Sequence, residues 1–341
     1  MRIVLDAMGT DHHPEPEIYA AVEAVRRWGD PIYLVGPRDV LAPRLEAYPD
    51  VRDRIHIVHA SQVFCHGEKP GQVLRQKPDA SMAVGIHMLK EGEADAFVTM
   101  GDTGGALAYA LLILGRIRGV RRPALIAPVP TRAGKYCAIL DVGANAECKP
   151  EYLLQFGLMA AVYVEHLWGR ENPQVGLLAN GEEPTKGTPL VQEAHRLMAA
   201  SSLNFVGNVE PKEVFAGEVD VAVTDGFTGN VVLKTMEALT KLITDALKEG
   251  LTLSWQTKLG ALLAKSGLRR MKSRLLDPVE IGAVPLLGVN GLVFIGHGRF
   301  QGPAVLSGIA RAREAVAMDL VGKLRDRIAA SLTRQKVEAS G

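Results

Sequence analysis

Short apolar runs alternate with longer amphipathic stretches through most of the chain. The runs Ile3–Leu5, Ile32–Val35, Ile55–Val58, Ala96–Thr99, Ala138–Val142, Val175–Leu178 and Val219–Thr224 are brief and mostly β-branched. They predict strands buried on both faces, since a strand with one wet face alternates apolar and polar positions. Between them, Glu15–Arg27, Ser81–Glu91, Glu151–Leu167 and Leu190–Ala200 repeat apolar residues at helical spacing. Strands separated by helices of this length predict βαβ units, hence an α/β fold with a largely parallel sheet covered on both sides. The Gly-rich stretch 281–308 differs, with an apolar run Leu292–Ile295 between turns, and is expected to add strands of another direction. Residues 333–341 read as a polar tail that frays.

A repeat sharpens this picture. Residues 92–104 read GEADAFVTMGDTG and residues 217–229 read GEVDVAVTDGFTG, with eight of the thirteen positions identical. Each copy is a strand, a Gly-Thr-Gly turn and the start of an apolar helix. Duplication is the better reading, giving one domain of two related subdomains. Ligands in open α/β sheets lie at the carboxyl ends of strands. Both turns are therefore expected to line one cleft.

Composition narrows the function classes. The 341 residues hold 39 Lys+Arg against 38 Asp+Glu, a net charge of +1 that argues against a globally basic nucleic-acid binder. Three cysteines without C-x-x-C spacing signal neither a disulfide framework nor a zinc site, so a reduced, cytoplasmic setting is expected. Met1–Asp6 reaches an acid too soon for a signal peptide. The longest apolar run, Ala106–Leu114, is half the roughly 20 residues of a membrane helix.

Four loops share one design, an apolar strand followed by Gly, Asn, Thr or Lys and then a helix. They are Gly101–Gly105, Asp141–Pro150, Asn180–Thr188 and Asp225–Asn230, the last with Lys234 one helical turn further on. Glycine lets backbone N–H groups approach an oxyanion, the helix N-terminus adds a favourable dipole, and Lys brings a mobile charge. A small anion such as phosphate is the expected ligand. No nucleotide fingerprint, nucleophile elbow or H-E-x-x-H pair occurs. Asp11-His12-His13 reads as a turn rather than a metal site. Cys148 reads as a packed small residue rather than a nucleophile, and His297 as a candidate with a strand cap as its rival.

Residues 248–274 carry seven Lys/Arg and one acid, a local net charge of +6. Leu251, Trp255, Leu259, Leu262 and Leu263 form one helical stripe that Gly267 interrupts. The expectation is a protruding basic amphipathic hairpin over 241–276. Its contact residues would be Trp255, Leu259, Leu262, Leu263, Arg269, Arg270 and Lys272. An anionic membrane surface or an acidic protein suits it, with a core or dimer contact as the bland alternative.

At these loops the chain resembles the bacterial phosphate acyltransferase family, PlsX. The resemblance rests on Ile3–Gly9, Lys90–Ala96, Asp141–Pro150, Leu153–Phe156, Gly181–Glu183, Thr185–Gly187, Asn204–Glu210, Asp225–Lys234 and Leu286–Gly291. It implies a three-layer α/β/α sandwich with a mostly parallel mixed sheet, like the isopropylmalate dehydrogenases and phosphate acetyltransferases. Two intertwined pseudo-symmetric halves and a homodimer are also implied. The implied reaction carries an acyl group from acyl carrier protein to inorganic phosphate. The acyl phosphate would pass to a membrane-bound glycerol-3-phosphate acyltransferase, with the enzyme peripherally on the membrane. Two departures stand out, Asp102 where the family has Asn and Thr10 within Gly9-Thr10-Asp11.

Phosphate is itself a usable nucleophile, so the protein's task in such a reaction is positioning and charge stabilisation. The residues expected to carry it are Lys186, Asn145, Asn230 and Asp225. Phosphate contacts are expected from Thr103, Gly104, Gly143, Lys149, Thr228, Gly229 and Lys234. The alternative role for Lys149 or Lys234 is a pair with Glu182 or Asp225. No metal or redox cofactor is called for. Rival readings are a phosphate acyltransferase using short-chain acyl-CoA, a nicotinamide-dependent decarboxylating dehydrogenase of the same fold, and a non-enzymatic membrane scaffold.

Overall fold

The computed structural model describes residues 1–64, 68, 76–268 and 282–340. Its first half builds β1 (Ile3–Asp6), α1 (Glu15–Trp28), β2 (Ile32–Gly36), α2 (Arg38–Leu45) and β3 (Ile55–His59). It continues with α3 (Ser81–Lys90), β4 (Ala96–Thr99) and α4 (Thr103–Ile113). The second half runs β5 (Ala124–Pro130), β6 (Tyr136–Leu140), α5 (Pro150–Leu167), β7 (Val175–Leu178) and α6 (Pro189–Ala199). Then follow β8 (Phe205–Val209), α7 (Pro211–Ala216), β9 (Val221–Val223), α8 (Gly226–Thr252) and α9 (Trp255–Leu263). The chain closes with β10 (Val284–Leu287), β11 (Val293–Ile295), α10 (Gly302–Ala317) and α11 (Leu320–Ser340), of which β11 and α10 return to the first half, on β4 and α1. That return is what intertwines the two.

All eleven strands join one sheet in the order β3-β2-β1-β4-β11-β10-β5-β6-β9-β7-β8. The strands are continuous apolar runs because both faces are covered. Ile3 and Leu5 of β1 enter one core while Val4 enters the other, and Val221 and Val223 of β9 part from Ala222 in the same way. Helices α1, α5, α10 and α11 cover the first core; α3 and α4 cover the second. This is a three-layer α/β/α sandwich.

Strands β1 to β4 and β11 are mutually parallel, as are β6 to β9. The junction between the two groups is antiparallel at β11–β10, β10–β5 and β5–β6. Three reversals leave β4 and β9, the two copies of the repeat, running in opposite directions. The two turns thus leave strands of opposite direction, because the inserted antiparallel strands reverse the polarity of the second half. Strand β5 was not expected, since Pro128 and Pro130 argue against a sheet interior. Its partner β10 pairs only with Ala124 and Leu125, so both prolines lie beyond that ladder, and the missing N–H groups cost no bond there.

Two helices differ from their expected limits. The stripe from Leu251 to Leu263 is not one helix, because α8 ends at Thr252 and Ser254 caps α9. The Ser254 hydroxyl accepts from the Thr257 N–H at 3.2 Å while the Thr257 hydroxyl accepts from the Ser254 N–H at 3.0 Å, a reciprocal cap. Helix α11 continues to Ser340 through Arg334, Gln335, Lys336, Glu338 and Ala339, which are good helix formers. Of the expected hairpin 241–276, residues 269–276 lie outside the described residues, and with them Arg269, Arg270 and Lys272.

Candidate active site

The end of β6 carries a buried carboxylate. Asp141 Oδ1 accepts from the backbone N–H groups of Leu125 (3.0 Å), Gly143 (3.2 Å) and Ala144 (3.0 Å). Its Oδ2 accepts from the Asn145 N–H (2.7 Å) and the Asn145 side-chain amide (2.9 Å). Burial raises the pKa of Asp141, and these N–H groups act against that rise by favouring the charged form. The loop 141–145 is thus wrapped around one side chain. Gly143, at φ 140°, takes a conformation that side-chain-bearing residues rarely adopt, and Asn230 lies across from it.

Helix α8 is seated on this loop. The Gly226 N–H donates to the Asn145 carbonyl at 2.8 Å. A Cβ at Gly229 would stand 1.9 Å from the Asp141 carbonyl oxygen, so only glycine fits. Asp225 caps the helix, accepting from the Thr228 N–H at 2.9 Å and the Thr228 hydroxyl at 2.8 Å. The structure therefore gathers Asn145, Gly143, Asp225, Thr228, Gly229 and Asn230 at one place. Asn145 and Asp225 hold the loops there. The Asn145 amide is occupied by Asp141 and by the Pro123 carbonyl at 2.7 Å.

The cations are arranged differently from expectation. Glu182 pairs with Lys212 at 3.0 Å, not with Lys149 or Lys234. Lys234 lies 3.9 Å from Glu237, and Asp225 is engaged by Thr228. Lys149 is exposed at the N-terminus of α5. Lys186 is exposed on the loop after β7, one strand beyond β9, with its stem against Gly181. Cys148 faces the Asn145 carbonyl, and burial pushes its thiol up to about 11, so it is protonated near neutrality and unsuited to attack.

The first repeat copy also leads into an Asp-capped helix, begun two repeat positions later than α8. Asp102 caps α4 by accepting from the Gly105 N–H at 2.8 Å, which is the work an Asn would do there, with Thr103 and Gly104 in the first turn. Behind it lie two carboxylates that sequence reasoning missed. Asp6 accepts from the Met8 N–H (3.1 Å) and the Thr99 hydroxyl (2.7 Å). Glu17 accepts from the N–H (2.8 Å) and hydroxyl (3.1 Å) of Thr10, and burial pushes it up to about 7. The available signal was an acid closing an apolar strand and followed by glycine, as in Leu5-Asp6-Ala7-Met8-Gly9 and Leu140-Asp141-Val142-Gly143. The halves meet where the loop after β11 reaches α8, through Arg299 and Glu237 at 3.0 Å. Among the described residues no group of three or more His, Cys, Asp or Glu is placed to hold a metal ion.

A sheet of this order with loops of this kind places the chain in the fold of the phosphotransacetylases. EutD phosphotransacetylase from Staphylococcus aureus superimposes with a TM-score of 0.59 at 16% identity, over 92% of this chain and 94% of that one. A phosphotransacetylase from Streptococcus pyogenes gives 0.59 at 15%, over 96% and 94%. Within that fold the sequence is specific, since residues 1–323 match the family described as fatty acid synthesis protein. The phosphate acyltransferase of Alkaliphilus oremlandii is 44% identical over 92% of each chain, and that of Acidobacterium capsulatum 45% over 92% of each. The chain belongs to this family of phosphate acyltransferases and is an acyltransferase by class.

Proposed function

We propose that the protein transfers a fatty acyl group from acyl carrier protein to inorganic phosphate, giving an acyl phosphate for phospholipid synthesis. The observation that carries this reading is the seating of α8. Its N-terminus rests on the Asp141 loop, with Asn230 across from Gly143 and Lys234 two turns on. A helix N-terminus held rigidly beside amide and ammonium donors suits a phosphate and a developing oxyanion.

In the step itself a phosphate oxygen attacks the thioester carbonyl carbon, the C–S bond breaks, and the proton of the hydrogen phosphate passes to the departing sulfur. Neither a protein nucleophile nor a cofactor enters this balance. Asn230, Lys234, Lys186 and the first turn of α8 contact phosphate and oxyanion. Thr103, Gly104 and Lys149 form the outer rim. Asn145 and Asp225 act as positioning residues, which fits their occupied polar atoms. A cytoplasmic homodimer resting peripherally on the membrane, handing its product to a membrane glycerol-3-phosphate acyltransferase, completes the proposal. The exposed apolar residues of α9 support the membrane contact.

The test is incubation with palmitoyl-acyl carrier protein and phosphate, trapping acyl phosphate with hydroxylamine, with palmitoyl-CoA as the parallel donor. Phosphate-dependent trapping with the carrier as the better donor is expected; no phosphate-dependent product overturns the reading. At limiting phosphate, Lys186→Ala should lower the rate by about a hundredfold, the cost of one lost oxyanion donor.

A further inference from the structure

His297 stands in the loop that joins β11 to α10, and its backbone is fixed on both sides. The Gly296 N–H donates to the Thr99 carbonyl at 2.8 Å, and the Gly298 carbonyl accepts from the Asp11 N–H at 2.7 Å. The ring lies tilted against Phe300, with 5.9 Å between centroids. Its Nδ1 is buried and has no hydrogen-bond partner, whereas Nε2 is not shut in with it. A proton on Nδ1 would be a buried, unpaired N–H, a costly arrangement. The neutral tautomer with the proton on Nε2 leaves an unpaired acceptor at Nδ1, a lesser penalty than a buried unpaired N–H, and doubly protonated imidazolium must carry that N–H.

The charged groups that act on this ring come from three elements. Arg299 lies on its own loop, Lys234 and Glu237 on α8, and Asp11 on the loop after β1. Lys234 at 3.9 Å and Arg299 at 3.0 Å share the Glu237 carboxylate, and the Asp11 carboxylate, beside Gly298, acts on the ring as well. Burial first, then Arg299 and Lys234, lower the pKa of His297, which agrees with a neutral ring. A neutral imidazole with its one N–H outward, beside two cations, is a site for an oxyanion. It joins residues from both halves of the fold, Arg299 and Asp11 from one side and Lys234 and Glu237 of α8 from the other.

We propose that His297 holds inorganic phosphate as a fixed neutral donor through Nε2–H, with Arg299 and Lys234 as its charged companions. This assignment rests on the reaction proposed above for its purpose, but not for its test. A ring locked in one tautomer donates without first having to lose or gain a proton. Arg299 supplies charge from the flank.

The experiment has an arm that needs no turnover. In wild-type protein labelled with 15N-histidine, with H297F to assign the signal, the His297 resonances at pH 7.5 should show a bare Nδ1 and a protonated Nε2. Titration with inorganic phosphate should shift Nε2. A ring protonated on Nδ1, or an Nε2 signal indifferent to saturating phosphate, overturns the inference. The kinetic arm compares variants. H297F keeps an aromatic ring beside Phe300 but has no donor, and should raise KM for phosphate at least tenfold with an unchanged melting temperature. H297Q restores an N–H near the Nε2 position and should return KM to within about threefold of wild type. Arg299→Ala should raise KM less and weaken its salt dependence. An H297F variant with wild-type KM refutes the assignment. If wild-type protein makes no acyl phosphate at all, the proposed reaction falls, while the phosphate titration still decides the role of His297.

Discussion

The two copies of the repeat each lead from a strand into an Asp-capped helix, but the cap falls two positions earlier in the second copy, and their surroundings differ. In the first, Asp102 caps α4, and a Cβ on Gly105 would meet the ring of Phe64 at 3.1 Å. In the second, Asp225 caps α8, and a Cβ on Gly229 would meet the Asp141 carbonyl oxygen at 1.9 Å. One turn leans on a side chain that can give way; the other is keyed to the backbone of a loop wound around a buried carboxylate. Each copy thus ends in an Asp-capped helix of its own register, and what that helix start packs against decides whether it is rigid enough to position donors.

Alanine at the two glycines tests this difference most severely. Gly→Ala within a helix ordinarily stabilises by about 1 kcal/mol. Gly229→Ala should nevertheless lose about 3 kcal/mol or more, because neither the Asp141 carbonyl nor the first turn of α8 can retreat without the other. Gly105→Ala should stay within about 1 kcal/mol of wild type. Urea unfolding of both variants gives the answer, and equal losses would break the comparison.

The halves should also differ in response to pH. Burial lifts Glu17, beneath the first-half loops, from its ordinary 4.5 to about 7. The folded state then holds a proton that the unfolded chain has released. Stability falls as pH rises from about 4.5 to 7 and is level above, by roughly 3 kcal/mol in all for a fully buried group. Glu17→Gln should remove that slope. Melting curves between pH 5 and 8 check it, and an unchanged slope in the variant would count against Glu17 as its source.

Removing the caps is a gentler probe. Asp102→Ala and Asp225→Ala should each cost about 1 kcal/mol, the usual worth of a helix N-cap. Their effects on turnover should separate. Asp225→Ala also frees the Thr228 hydroxyl at the proposed phosphate site, and Asp102→Asn, which keeps an equivalent cap, should restore wild-type stability. Equal loss of acyl phosphate formation in both alanine variants would place the two copies on the same footing.

Much of this arrangement was legible in the chain because it is local. The limits of α1, α3, α5 and α6 follow the apolar spacing of Glu15–Arg27, Ser81–Glu91, Glu151–Leu167 and Leu190–Ala200 to within a residue. Strands β4 and β9 follow from the repeat itself. Long-range features were not legible. The grip on Asp141 depends on the Leu125 N–H, sixteen positions away on a strand that its prolines disguised. The opposed polarity of β4 and β9 comes from the antiparallel pairings of β10, which enters the sheet from the far end of the chain. Arg299 and Glu237 come together only because β11 carries the chain back to α8.

The smallest expected effect on stability belongs to the region most unlike the keyed loops. In α8 only Gly226 and Gly229 are buried, and α9 has no buried residue. Trp255 is 71% exposed, Leu259 50%, Leu262 64% and Leu263 79%, whereas the Asp141 carboxylate at the site accepts five hydrogen bonds. Apolar side chains that cover nothing in their own chain add little to its folding. Replacing Leu259, Leu262 and Leu263 with Gln should therefore shift stability by no more than about 0.5 kcal/mol per site. Turnover with soluble acyl carrier protein should persist. Flotation with anionic phosphatidylglycerol vesicles should be lost, because apolar insertion and attraction of nearby cations such as Lys258 and Lys265 act together at a membrane surface. Undiminished flotation would turn the exposed face of α9 toward a protein partner. A fall in stability that grows with dilution would instead mark it as a contact between two copies of the chain.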